Sequence, residues 1–161
     1  MIAVSAIMRE LAKRLGMNEE EWELVGLLHD LDCDMVKGDM SRHGLVASKI
    51  LEGKLPEDCL HAIKAHDHRT GVKPESVMDK ALIASDCIWG LIVRTALISR
   101  SKKIHRIDRY ALKNMFEDDS FPKFLKNGIK MCTQVNLSLE EFFKLALGSL
   151  PQNWTVGEAG L

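Results

Sequence analysis

Several features that mark whole classes of protein are missing from this chain. Charge of one sign is missing: Lys and Arg number 22 against 23 Asp and Glu, so no global field holds a polyanion or an anionic membrane surface. Aromatics are sparse at 6%, with one tyrosine, and do not interleave with basic residues as they do in single-strand binders. Trp22, Trp89 and the methionines are therefore read as core. Cysteine is confined to Cys33, Cys59, Cys87 and Cys132, far apart and without a CxxC pair. That excludes a disulfide framework and predicts reduced thiols in a cytoplasmic protein. No uninterrupted apolar run approaches the roughly 18 residues of a membrane span. The N-terminus reaches Arg9, Glu10, Lys13 and Arg14 without a signal-peptide layout. Strand alternation and internal repeats are also lacking.

What is present is helical. With 46% hydrophobic residues in 161, the chain suits one domain with a sizeable core. Val4, Ile7, Met8, Leu11 and Leu15 keep the spacing of one helix face, and Gly16 ends it. Asn18 with Glu21 resembles a capping box that opens a second helix, and this helix delivers His29 and Asp30 at its end. After an acidic loop over 32–40, a third helix is expected from Ser41 to about Leu51, with His43 in its first turn. A fourth runs from Pro56 to His66, followed by a polar loop to Pro74. The most apolar segment, Val77 to Ile98, should be a central helix. A basic stretch with Arg100, Lys102, Lys103 and Arg106 reads as a solvated loop. Further helices follow near 110–115 and 121–133, and Ser138 with Glu141 caps the last. The expectation is an all-α, single globular domain of roughly seven helices over 1–150, the segment 106–150 completing the core, and a loosely held tail over 151–161.

Asp86 is the oddest residue on this map. A carboxylate inside an apolar helix costs several kcal/mol unless it is paired, protonated or metal-bound, so a partner has to be found for it. Candidates stand at helix ends upstream: His29, Asp30, His43 and His66, all types that bind first-row divalent metals. The His-Asp dipeptide alone is weak, since 6 His and 11 Asp in 161 residues give about 0.4 such pairs by chance and the chain has two. A divalent ion gathered by these groups lowers the pKa of a bound water and polarises a phosphoryl oxygen, which suits phosphate-ester hydrolysis.

The strings VGLLHDLD, RHG, AIKAH and ALIASD stand in the order and approximate spacing of the HD superfamily of metal-dependent phosphohydrolases, which the chain resembles over about 1–98. The resemblance implies His29, Asp30 and Asp86 as metal ligands, with His43 and His66 holding a second ion in dinuclear members. One or two divalent ions are implied, from among Mn, Fe, Co, Mg, Zn and Ni. The family pattern begins with a further His, expected just upstream of Met1, and many relatives carry a Lys soon after the His-Asp pair where this chain has LDCD. Phosphate contacts then fall to Lys37, Arg42, Lys64, His68 and Arg69. Asp30 and Asp67 are the catalytic candidates, Asp67 as a general acid or base or as a partner orienting a histidine. The expected substrate is a small phosphorylated metabolite or nucleotide, with no nucleic-acid or membrane partner and self-association left open. The rival expectation is a non-catalytic domain of the same fold that binds a ligand or signals.

Overall fold

Apolar spacing, caps and glycine stops produce eight α-helices and no β-strand among the described residues, which in this computed structural model are 1–99, 103–151 and 154. The first, α1 (Ile2–Leu15), buries Val4, Ile7, Met8 and Leu11 and stops at Gly16, whose φ of 69° is left-handed. Helix α2 (Glu19–Leu28) packs against α1 and starts at Asn18, whose side chain accepts from the N–H groups of Glu20 and Glu21. Helices α3 (Leu45–Leu51) and α4 (Glu57–Ala65) follow, then α5 (Val77–Ile98), α6 (Arg109–Glu117), α7 (Lys123–Lys130) and α8 (Leu139–Ser149).

The expected central helix is central. A full capping box between Ser76 and Asp79 opens α5, which then packs against α1, α4, α6, α7 and α8. By length and composition α5 is apolar enough to cross a membrane, but 72% of its most apolar window is buried in the protein. Leu82, Ile88, Leu91 and Ile92 are fully buried, each side chain contributing about 1.5–3 kcal/mol through lost apolar exposure. Ile88→Ala should therefore destabilise by roughly 2–5 kcal/mol.

Two expectations need correction. Eight α-helices fit the expected all-α fold of roughly seven, but the segment expected as one helix over 121–133 divides into α7 and a 3-10 turn over Met131–Val135. The third helix begins at Leu45 rather than Ser41: Met40–Arg42 form a separate 3-10 turn, and His43 is extended (φ −63°, ψ 130°). Gly44, at φ 82°, breaks the chain between them. In the expected tail, half-buried Trp154 accepts a 3.2 Å hydrogen bond from Ile104 N–H at its carbonyl. The rest of 152–161 lies outside the described residues, as do Arg100 and Lys102 of the basic stretch.

Candidate metal centre

Helix ends build the site, and two of them use the same local device. An α-helix leaves its last carbonyls without partners. At the end of α2 the His29 ring donates Nδ1–H to the Gly26 carbonyl (2.8 Å), and at the end of α4 the His66 ring donates to Ile63 (2.7 Å). Each bond satisfies a carbonyl and also fixes the tautomer, leaving the Nε2 lone pair to face inward. His43 reaches the same state by another route, its Nδ1 bonding Asp32 Oδ1 at 2.8 Å. Asp32 is fully buried, and its second oxygen accepts from the N–H groups of Gly44 and Ala47, both at 2.8 Å. One carboxylate thus caps α3 and orients His43. Gly44 has to be glycine, because a Cβ there would lie 2.4 Å from the Ile63 carbonyl and 3.2 Å from the His66 ring. That close approach brings His43 against His66.

The result is a knot of acceptors. His43 Nε2 lies 3.1 Å from His66 Nε2 and 3.0 Å from Asp30 Oδ1. His66 Nε2 is 3.8 Å from the same oxygen. The other Asp30 oxygen, Oδ2, is 3.2 Å from His29 Nε2, and Asp86 Oδ1 is 3.7 Å from that nitrogen. His29 Nε2 is buried and has no hydrogen-bond partner. With every Nδ1–H donated elsewhere, the neutral rings present only lone pairs to one another and to the carboxylates, an arrangement that a proton or a metal cation resolves. His29, Asp30 and His66 each offer a ligand atom within 4.8 Å of the others, a donor set suited to a divalent first-row metal.

The electrostatics agree. Burial works against charge on His29, but Asp30 and Asp86 outweigh it and lift its pKa to about 10. Burial likewise opposes ionisation of Asp30, yet His29 and His43 hold its carboxyl far below the usual range. Asp30 raises the pKa of His43, whereas burial and the neighbouring His29 lower that of His66 and favour its neutral, ligating form. The pocket attracts positive charge, as proton or as metal.

A family model for the HD domain matches residues 1–113. The chain belongs to the HD domain family. The family is one of metal-dependent phosphohydrolases that act on phosphorylated substrates. No curated protein and no solved structure matches the chain. The match to the HD domain ends within α6, so α7 and α8 lie beyond it.

Above this cluster of candidate ligands opens a cleft of about 640 Å³, whose lining includes Asp30, His43, His66 and Asp86. Asp86 departs from expectation: its side chain is 39% exposed. Its helical neighbours are apolar, but α5 borders the cleft at this point, so the desolvation argument that singled Asp86 out overstated its burial. Of the expected phosphate contacts, His68 and Arg69 line the cleft, while Lys37, Arg42 and Lys64 are not among its lining residues. Lys64 lies two residues, about 200°, around the helix from His66, and it lines a separate depression with Leu45 and Lys49. Lys37 and Arg42 stand exposed in the turns between α2 and α3.

Asp67 is 8% exposed and also lines the cleft. Both its oxygens lie within 3.0 Å of Arg69 Nε, and Oδ2 also pairs with Arg69 Nη2. Although burial opposes it, this pairing lowers the Asp67 pKa, so the carboxylate is occupied as an acceptor. Two cysteines line the cleft as well, Cys33 and Cys87. Burial pushes Cys87 up to about 12, and burial with the nearby carboxylates raises Cys33, so both stay thiols.

Sequence reasoning missed three features. Asp32 was one charge in LDCD, and nothing in that string separates it from the exposed Asp34. Lys73, an exposed cation in the cleft lining, was passed over in a polar loop. The third is the α7 wall formed by Phe124, Asn127 and Gly128.

Proposed function

We propose that this HD domain hydrolyses a small phosphate ester or nucleotide at the divalent metal centre formed by His29, Asp30, His43, His66 and Asp86. The observation that carries this reading is the set of converging acceptors without a donor, above all the orphaned His29 Nε2. Asp30 divides the ligands: Oδ2 faces His29, and Oδ1 faces His43 and His66. Asp30 with His29 and Asp86 would hold a divalent ion, and Asp30 with His43 and His66 would hold a second where two bind. An ion held there supplies a water acidified toward neutrality and a Lewis acid for a phosphoryl oxygen.

The chain's own groups do the rest. The three Nδ1–H bonds hold the imidazoles in their ligating tautomer, so little reorganisation is needed. Lys73 has no ion-pair partner among the described residues, and with Arg69 it offers positive charge to the phosphate from the cleft rim. Asp67 serves as a positioning residue, fixing the Arg69 guanidinium and capping the turn over His68–Thr70.

The test is a panel of phosphomonoesters and nucleotides with Mn, Co, Fe or Mg added, run on the wild type and on Asp86→Ala with metal content measured alongside. Turnover abolished by a chelator, together with loss of metal and turnover in D86A, supports the reading. Unchanged metal content in D86A removes Asp86 from the site, and bound metal without turnover of any ester favours a ligand-binding module.

A further inference from the structure

Resting on that reading of the site, we propose that α7 is its specificity wall and selects a phosphate monoester whose alcohol carries a flat, apolar ring. Phe124, Asn127, Gly128 and Met131 follow at i, i+3, i+4 and i+7, one face of α7 and the turn after it, and all four line the cleft. A Cβ on Gly128 would sit 2.3 Å from Cys87 Sγ; the absence of one lets α7 close against α5 and form a continuous wall. Phe124 is 59% exposed although aromatic. Its ring meets that of His68, another residue of the cleft lining, with centroids 6.0 Å apart and planes tilted by 41°.

The cleft lining is mixed: it holds the metal-ligand candidates, while Phe124, Met131, Ile83, Val72 and Pro74 supply apolar surface. A bare sugar phosphate would leave Phe124 and the other apolar lining uncovered and forgo the affinity that covering it gives. A ring stacked on Phe124 would cover that apolar surface while its phosphate reached the metal centre. Asn127 is the one amide among the cleft's lining residues, placed to bond a polar ring edge if the ring has one. The volume of about 640 Å³ is in the range of pockets that hold ligands of this size.

The experiment uses the full, metal-loaded chain with phenyl phosphate, a nucleoside monophosphate and glycerol 3-phosphate. Wild type should prefer the two ring esters, and Phe124→Ala should raise their KM roughly tenfold with that for glycerol 3-phosphate unchanged. Phe124→Tyr should restore wild-type values. A rise in KM for the nucleoside ester alone in Asn127→Ala marks a recognised base edge, and an equal response of both ring esters marks a bare ring. Phe124 is largely exposed, so F124A should keep the wild-type melting temperature. Calorimetric binding of phenylphosphonate against methylphosphonate reads the same preference without turnover. Ring-selective phosphonate binding without hydrolysis of any ester would support the wall and overturn the hydrolase reading. Hydrolysis with no ring preference, or F124A shifting all three esters equally, would overturn the wall and leave the hydrolase reading standing.

Discussion

Two places in this molecule hold the same pairing, and only one of them looks chemical. At the cleft, fully buried Asp32 bonds His43 Nδ1 at 2.8 Å and caps α3. On the α4–α5 contact, fully buried Asp79 bonds His61 Nδ1 at 2.9 Å and caps α5 through the Glu75 and Ser76 N–H groups. The carboxylates are equivalent architecture; what differs is the far side of the ring. His43 Nε2 faces Asp30 and His66 among other lone pairs. The His61 side chain is 34% exposed, so water serves it. A carboxylate–imidazole pair is thus a way to hold a ring and end a helix, and it contributes to a candidate metal site only where further acceptors converge.

The largest effect should come from breaking the convergence itself. Asp30→Asn removes the charge that both sets of nitrogens face, and should lose bound metal and lower turnover by more than about a hundredfold. Asp79→Asn should leave both intact. Elemental analysis and an ester assay on the two purified variants check this contrast.

Next in size is Asp32→Asn, which keeps the shape but weakens the orientation of His43. Metal affinity should fall about 10- to 100-fold, read by calorimetric titration. The matching Asp79→Asn should instead reduce stability by about 1–3 kcal/mol in urea, with metal affinity unchanged.

Acid should sharpen the same contrast. Burial opposes ionisation of Asp79, but hydrogen bonds from Ser76 and Glu75 and the neighbouring His61 hold its carboxyl below the usual carboxylate range. A depressed folded pKa gives stability that is present above the unfolded value and lost as pH falls through the folded one. Wild-type denaturation midpoints should therefore drop below about pH 4, and Asp79→Asn should flatten part of that slope. Smallest of all, His61→Ala should cost no more than about 1 kcal/mol, as expected for a partly exposed pair. His43→Ala, by contrast, should lose metal.

The same contrast explains what could be read in advance. Periodicity and end signals locate α1, α2, α4 and α5, and with them His29, Asp30 and His66, because a helix end fixes a side chain within a residue or so. Asp32 and Asp79 were not legible as buried: each lies near exposed acidic residues, and only tertiary packing distinguishes them. The burial of Asp86 was misread for the opposite reason, since an apolar helix does not announce which of its faces borders a cleft. The start of α3 turns on Gly44, where a close approach to Ile63, nineteen residues away, overrides the local capping signal of Ser41. The α7 wall was invisible because its stripe mixes Phe, Asn, Gly and Met, and that pattern acquires meaning only once α5 is beside it.

On the proposed reading, a cation completes the knot of lone pairs around Asp30. Metal content after loading with Mn and exhaustive dialysis tests it most directly, measured on wild type, Asp30→Asn and His61→Ala together. The account predicts at least one tightly held ion per chain in wild type and His61→Ala, and none in Asp30→Asn. Wild type that emerges metal-free, or three proteins holding equal metal, would contradict it.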